Sequence, residues 1–189
     1  SRLFGEDGND SLHVRLTNGD WAQLGASYKD TRSAILSGGD GDDNLHTEIY
    51  YFNPNSGDFT ANSDGGNGND SIRINSRYAF KGSVNVTGGN GNDNIEVTDS
   101  DAGQFNQETS DYGLRKVVID AGADDDTITV QGSLNTSITT GSGSDTIRLT
   151  AHQYRTQQQG KRNLYDSNGR VNGTQNADPI TITDFTTGK

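Results

Sequence analysis

The strongest constraint on this chain is a segment of eight residues that recurs six times. Each copy has Asp at the sixth position and Leu or Ile at the eighth, and Gly fills most of the first, second and fourth positions. The copies are GEDGNDSL at 5–12, GGDGDDNL at 38–45, GGNGNDSI at 65–72, GGNGNDNI at 88–95, AGADDDTI at 121–128 and TGSGSDTI at 140–147. Such recurrence is typical of repeat proteins, in which each unit buries its apolar residues by stacking on its neighbours.

Alternating apolar and polar residues flank each copy, a pattern that predicts short strands with one buried face. The apolar residues that follow the turns are Leu12, Val14, Leu16, Leu45, Ile49, Ile72, Ile74, Ile95, Val97, Ile128, Val130, Ile147 and Leu149. Those that precede them are Ile35, Val84, Val86, Val118 and Ile138, with Ile180 and Ile182 near the end of the chain. We therefore expect an all-β protein whose strands are joined by Gly- and Asp-rich turns.

Acidic residues are concentrated in the first six residues of each copy, which we call loops one to six. These loops, at 5–10, 38–43, 65–70, 88–93, 121–126 and 140–145, hold 12 of the 26 acidic residues and no Lys or Arg. The net charge is -11, so the remaining residues together carry only +1. Carboxylates placed so close together repel one another unless a cation lies between them. The loops therefore predict a cation as partner.

The rest of the composition excludes several classes of protein. The chain has no Cys, which excludes disulfides, Cys zinc sites and thiol catalysis, and it has no run of 18 apolar residues that could span a membrane. The acidic balance argues against a nucleic-acid partner. The sequences G-x-S-x-G and H-E-x-x-H and a Walker loop are also missing, so we predict a protein without enzymatic activity.

Loops two, three and four match G-G-x-G-x-D-x-U without exception, where U is a large apolar residue. The chain therefore resembles the RTX family of calcium-binding repeats. The resemblance implies a right-handed parallel β-roll, or β-solenoid, with calcium-binding turns stacked on one edge and return loops on the other. It also implies a coil of about 18 residues. Successive invariant Asp residues are 33, 27, 23, 33 and 19 residues apart, which predicts return loops of variable length.

By the same resemblance, Ca²⁺ ions lie between neighbouring loops, and six loops imply about five ions. Stacked strands are about 4.8 Å apart and Ca–O distances are roughly 2.3–2.6 Å, so a central ion reaches both loops. The invariant Asp supplies a carboxylate and other loop residues supply carbonyl oxygens. The candidate ligands are Gly5, Asp7, Gly8, Asp10, Gly38, Asp40, Gly41, Asp42, Asp43, Gly65, Asn67, Gly68, Asn69, Asp70, Gly88, Asn90, Gly91, Asn92, Asp93, Ala121, Ala123, Asp124, Asp125, Asp126, Thr140, Ser142, Gly143, Ser144 and Asp145.

Large aliphatic and Phe residues number only 35 of 189, which together with the net charge is typical of a disordered chain. We therefore expect calcium to switch residues 1–189, a single RTX segment, from disordered to folded. The resemblance implies type I secretion from a bacterium and folding outside the cell. The predicted function is a non-enzymatic structural module of a secreted or cell-surface protein, of the S-layer, matrix-polymer or adhesin type.

Other functions stay open at this stage. Twelve of the 14 aromatic residues lie outside the strands that border the loops, and they predict either a second hydrophobic layer or a face for a glycan or protein partner. They are Trp21, Tyr28, Tyr50, Tyr51, Phe52, Phe59, Tyr78, Phe80, Phe105, Tyr112, Tyr154 and Tyr165. The segment could also be the secretion-side repeat block of a toxin, protease or lipase.

Both ends of the chain interrupt a coil, so we expect either a longer solenoid or copies that stack end to end. The basic segment 151–178 is a candidate arm for docking onto the acidic edge of another copy. His13 and His46 follow the apolar position of their repeats, which predicts an outward-facing row shared with Arg73, Glu96, Thr129 and Arg148. That row offers no consistent third ligand for a transition metal.

Overall fold

The computed structural model describes residues 1–17, 32–50, 58–77, 80–100, 113–132, 136–150 and 180–182. These residues form β-strands joined by tight turns. The strands are β1 Arg2–Asp7, β2 Ser11–Thr17, β3 Arg32–Asp40, β4 Asn44–Tyr50, β5 Phe59–Asn67, β6 Ser71–Arg77, β7 Phe80–Asn90, β8 Asn94–Asp99, β9 Gly113–Ala123, β10 Thr127–Gln131, β11 Thr136–Thr139, β12 Thr146–Thr150 and β13 Ile180–Ile182. Over the described ranges, no helix is long and apolar enough to cross a membrane.

The strands belong to two sheets in which all neighbours are parallel. One sheet has the order β1-β3-β5-β7-β9-β11-β13 and the other the order β2-β4-β6-β8-β10-β12. The chain therefore passes from one sheet to the other at every loop, and each strand pairs with the strand two places earlier. The prediction of an all-β protein with parallel strands is confirmed.

The six-stranded sheet buries the apolar position that ends each of the four interior repeats, whereas Leu12 and Ile147 of the end repeats are partly buried. Leu45, Ile72, Ile95 and Ile128 are fully buried and pair with one another across β4, β6, β8 and β10. Buried side chains of the seven-stranded sheet join them in one hydrophobic cluster. Burial of an aliphatic side chain contributes about 2 kcal/mol, so these rows are the main apolar stabilisation of the sheet.

The seven-stranded sheet buries a different face from the one predicted at two strands. Ala34 and Leu36 are buried in β3 while Ile35 is half-buried, and in β9 Val118 is likewise half-buried between two buried neighbours. The reason is that the first position of each repeat, Gly38 in β3 and Ala121 in β9, faces inward. Because side chains alternate along a strand, the residues two and four before it are buried. Val84, Val86 and Ile138 are buried as predicted.

At one aromatic position the structure distinguishes a hydrophobic layer from a face for a partner. Phe59 begins β5 with 1% of its surface exposed, and its ring fills the space that a side chain on Gly82 would need. It therefore belongs to the hydrophobic core and is not available to a ligand. The other predicted aromatic positions lie mainly in 18–31, 51–57, 101–112 and 151–179, outside the described residues, as does the basic segment 151–178.

Candidate metal-binding loops

The six loops stack on one another in the order of the chain. Backbone N–H groups of one loop donate to carbonyl oxygens of the next, as from Gly41 to Asn67 and from Gly68 to Asn90, each at 2.8 Å. The same contact joins Gly8 to Asp40 at 2.6 Å and Gly91 to the carbonyl of Ala123 at 3.2 Å. Between loops five and six, Ser142 donates to Gly122 at 3.0 Å. The predicted stacking of the turns is therefore present in the fold.

Glycine is required at the second position because the preceding loop leaves no room for a side chain. Gly66 has φ +109°, and a Cβ built on it would clash with the carbonyl oxygen of Gly39. Two departures from the repeat adopt the same left-handed region: Glu6 at φ 80° and Asp124 at φ 79°. Left-handed backbone is unfavourable for a residue with a Cβ. These two loops therefore carry strain that the glycine loops avoid.

The invariant Asp residues form a ladder of hydrogen bonds along the stack. Oδ1 of Asp70 accepts the N–H of Asp43 at 2.8 Å, and Oδ1 of Asp93 accepts that of Asp70 at 2.8 Å. The same bond joins each other pair of neighbouring invariant residues, from Asp10 to Asp145. One oxygen of each interior carboxylate is thus fixed by the backbone of the preceding loop.

In most of these residues the second carboxylate oxygen has no hydrogen-bond partner among the described residues. Oδ2 is buried without a hydrogen bond in five of the six invariant residues, namely Asp10, Asp43, Asp70, Asp93 and Asp126. A buried polar atom without a partner costs about 1–3 kcal/mol, and a charged one costs more. Five such atoms at equivalent positions are therefore the strongest sign of a missing partner in these loops.

A backbone carbonyl oxygen lies near each of these atoms. A Cβ built on Gly65 would clash with both Oδ2 of Asp70 and the carbonyl oxygen of Gly88 in the next loop. A Cβ built on Gly5, Gly38 or Gly88 would likewise clash with an Oδ2 of an invariant Asp and with a carbonyl oxygen of the next loop. Each gap from loop one to loop five is thus lined by a carboxylate oxygen from one loop and a carbonyl oxygen from the next. Oxygen atoms of these two kinds are ligands that a hard divalent cation prefers.

Burial makes the carboxylates resist ionisation when no cation is present. It raises the pKa of Asp93 to about 7 and that of Asp126 to about 6. Burial also raises the pKa of Asp70. A carboxyl group normally ionises at about pH 4, so the raised pKa values mean that the surrounding protein does not stabilise the charged form of these side chains.

The side chains at the fifth position form a second ladder, in the opposite direction. Oδ1 of Asp42 accepts the N–H of Asn69 at 2.7 Å, and Oδ1 of Asn69 accepts that of Asn92 at 2.9 Å. The ladder continues to Asp125 at 2.8 Å and Ser144 at 2.7 Å. These exposed side chains, predicted as ligand positions, hold neighbouring loops together, a role that the sequence analysis did not identify.

The third position has a ladder of its own in the central loops. Nδ2 of Asn67 donates to Oδ1 of Asp40 at 2.7 Å, and Nδ2 of Asn90 donates to Oδ1 of Asn67 at 2.6 Å. Asp7, Ala123 and Ser142 occupy the same position in the outer loops. Side chains at the third and fifth positions thus point along the stack, whereas the invariant Asp points into the gaps.

Loops five and six differ at the first position, where Ala121 and Thr140 replace Gly and are both buried. Their side chains enter the space that is lined by oxygen atoms in the other loops. Asp145 in loop six is half-buried, and its Oδ2 is not among the buried oxygens without a partner. The gaps between loops one and five are therefore the most uniform part of the predicted site.

Comparison of this chain with protein-family models, with curated proteins and with solved structures finds no match.

Proposed function

We propose that this chain is a calcium-binding structural module of the RTX type, without enzymatic activity, whose parallel sheets form a right-handed β-roll. The observation that carries the proposal is the set of five buried Asp oxygens without a partner, one at each gap between stacked loops. The number agrees with the ions implied by the resemblance. The matching G-G-x-G-x-D-x-U repeats support the choice of family.

Calcium fits the donors that line the gaps. Ca²⁺ takes six to eight oxygen ligands at about 2.3–2.6 Å in flexible geometry, whereas Mg²⁺ demands a strict octahedron and keeps its waters. The residues that would hold the ions are Asp10 with Gly38, Asp43 with Gly65, Asp70 with Gly88, Asp93 with Ala121, and Asp126. About five ions would supply +10 against the net charge of -11, which removes most of the repulsion within the loops.

The proposed setting is outside a bacterial cell, in a secreted or surface protein of the S-layer, matrix-polymer or adhesin type. Stacked loops with unpaired carboxylates fold poorly where calcium is scarce and well where it is abundant. Binding of a ligand to the folded chain alone stabilises it by about 2.7 kcal/mol per site at 100 times the dissociation constant. Five sites would thus add roughly 13 kcal/mol, the stability of a whole domain.

Calorimetric titration combined with far-UV circular dichroism tests the proposal. We expect about five Ca²⁺ ions per chain and a β-sheet signal that appears as they bind. The signal should be lost in excess EDTA and should not be restored by Mg²⁺. A chain that binds no calcium, or only one ion, would refute the proposal.

A pair of matched variants separates the gap carboxylates from acidity in general. Asp70→Asn keeps an oxygen that can accept the N–H of Asp43 but removes the charge from the gap. Asp120→Asn removes an equal charge from an exposed position on β9. We expect the first variant to bind at least one ion fewer, or to need about tenfold more calcium to fold, and the second to behave like the parent chain. Equal effects of the two variants would contradict the assignment.

A further inference from the structure

A second cluster of potential metal ligands lies on the outer face of the six-stranded sheet, away from the loops. His13 in β2 and His46 in β4 are direct partners in the register of the two strands. Their rings are stacked, with centroids 4.8 Å apart and an angle of 13° between the planes. This adjacency, predicted from the repeat, is confirmed by the register.

The third ligand, which the sequence analysis did not find, is Glu48. It lies two residues after His46, so both side chains point to the same face of β4. Its Oε2 is 3.6 Å from Nε2 of His13. A ring nitrogen of each His and a carboxylate oxygen of Glu48 all lie within 4.8 Å of one another. Two imidazoles and a carboxylate form a common ligand set for zinc.

The neighbours of the cluster keep the ligands in the form that binds metal. Nε of Arg15 donates to Oε2 of Glu48 at 2.6 Å, and this hydrogen bond lowers the pKa of Glu48. Burial, followed by the proximity of His13, lowers the pKa of His46. Nδ2 of Asn75 lies 3.1 Å from Nε2 of His46, within hydrogen-bond distance. The lowered pKa of Glu48 favours its ionised carboxylate and that of His46 favours its neutral ring, and these are the forms that bind a metal.

Enclosing an ion requires one ring to change its orientation, because the nitrogen lone pairs of two stacked, nearly parallel rings do not converge on one point. Zinc binds His nitrogen and carboxylate oxygen at about 2.0–2.2 Å in a tetrahedron, so its ligand atoms are roughly 3.3–3.6 Å apart. The pair formed by His13 and Glu48 already has this spacing, and the widest pair must close by about 1 Å. His13 is half-exposed, so its side chain can move by rotation about its own bonds.

We propose that His13, His46 and Glu48 bind one divalent transition-metal ion, such as Zn²⁺, with water completing the coordination. The site differs from the loops in its chemistry, because nitrogen ligands favour zinc, copper and nickel over calcium. A bound ion would link β2 to β4 and therefore join the repeats that contain loops one and two. Neighbouring strands of a parallel sheet thus provide a metal site that neither strand holds alone.

Calorimetric titration of the folded chain with Zn²⁺, in saturating Ca²⁺, tests this proposal. We expect one Zn²⁺ per chain beyond any weak binding at the loops. His13→Gln and His46→Gln should each lower the affinity by at least 10-fold, and Glu48→Gln by about 10-fold. Far-UV circular dichroism of each variant in Ca²⁺ checks that the fold is retained.

Two control variants make the test specific. Glu96 forms the same kind of pair with Arg73, at 2.9 Å on the same face of the sheet, so Glu96→Gln removes an equal charge without removing a proposed ligand. His152→Gln removes the third histidine of the chain, which lies outside the described residues. Both should bind Zn²⁺ like the parent chain. Loss of binding in either control, or retention in His13→Gln and His46→Gln, would overturn the assignment.

A spectroscopic measurement distinguishes this site from the calcium loops. Bound Co²⁺ should give the visible absorption of a site with nitrogen ligands, and it should disappear in His13→Gln while the calcium stoichiometry stays unchanged. Failure of calcium binding with intact Co²⁺ binding would count against the proposed function only. Failure of Co²⁺ and Zn²⁺ binding in a chain that folds with calcium would count against this site only.

Discussion

The central loops and the outer loops share one fold but differ in how strictly they keep the repeat. Loops two to four have Gly at the first, second and fourth positions, and Asp43, Asp70 and Asp93 are at most 3% exposed. Loops one, five and six carry Glu6, Ala121, Asp124 and Thr140 at these positions, and Asp10 and Asp145 are only half-buried. Asp126 of the irregular loop five is nevertheless only 1% exposed, so burial of the carboxylate follows an interior position in the stack and not the regularity of the loop sequence.

The difference shows which physical constraint requires glycine at the fourth position of each loop. At Gly41, Gly68 and Gly91 a Cβ would clash with the loop before, whereas at Gly8, the same position in loop one, it would meet nothing within 4 Å. Among the described residues no loop precedes loop one. In the central loops, glycine is required both by the positive φ angle and by the close approach of the preceding loop. In loop one, only the positive φ angle requires it.

The largest expected effect concerns the central carboxylates without metal. A carboxyl group whose pKa is raised in the folded state stabilises the fold below its unfolded pKa, and this contribution is lost as the pH rises through the folded value. For Asp93, with a folded pKa of about 7, we expect on the order of 4 kcal/mol to be lost between about pH 4 and pH 8. The β-sheet signal of the chain in EDTA should therefore increase as the pH falls from 8 to 5.

Asp93→Asn provides the control for this titration. It keeps an acceptor for the N–H of Asp70 and removes the ionisable group, so the pH dependence in EDTA should be smaller than in the parent chain. Asp120→Asn, an exposed change, should leave it as it was. A β-sheet signal in EDTA that falls on acidification would contradict the burial of these carboxylates.

The next effect compares one glycine position in two loops. Gly68→Ala adds left-handed strain and a clash with the backbone of Gly41, so we expect a loss of about 3 kcal/mol in the free energy of unfolding. Gly8→Ala adds only the strain, at φ +109°, and should cost about 1 kcal/mol. Urea unfolding in excess Ca²⁺ measures both. Equal losses would show that loop stacking does not restrict this position.

The smallest effect runs in the stabilising direction. Glu6→Gly relieves left-handed strain at φ 80° in an exposed residue, so we expect a gain of about 1 kcal/mol. Asp124→Gly should gain less, because Oδ2 of Asp124 accepts the N–H of Gly91 at 3.2 Å and Asp tolerates this region better. Urea unfolding in excess Ca²⁺ measures both changes in the free energy of unfolding. A lower stability of Glu6→Gly would show that the Glu6 side chain itself stabilises the fold.

Much of the fold could be predicted because the repeat fixes its own register. The invariant Asp and the apolar position two residues later predicted which residues pair across the six-stranded sheet, as with Ile72 and Ile95. The buried face of β3 was predicted wrongly because Ile35 is more hydrophobic than its buried neighbour Ala34. The buried face of a strand is set by the alternation of side chains, counted from the inward-facing first Gly, and not by hydrophobicity alone.

The candidate sites were predicted less completely. The sequence indicated His13 and His46 as neighbours but not Glu48, which belongs to the next row along the strands. Its approach depends on how long side chains lie across the sheet, including the hydrogen bond from Arg15. Likewise, the repeat pattern suggested Asp42 and Asn69 as ligands, whereas the hydrogen bond between them depends on how the loops stack in the fold. Contacts between side chains of different rows depend on side-chain geometry, which cannot be read from the spacing of residues in the sequence.

The ladder of invariant Asp residues also has a mechanical consequence. Each of its bonds joins loops that are 33, 27, 23, 33 or 19 residues apart in the chain. A chain pulled from its ends would unwind one coil at a time, and each rupture would release a length of about 65 to 115 Å at roughly 3.5 Å per residue. The step length would identify the gap that has opened, except for the gaps between loops one and two and between loops four and five, which both release 33 residues.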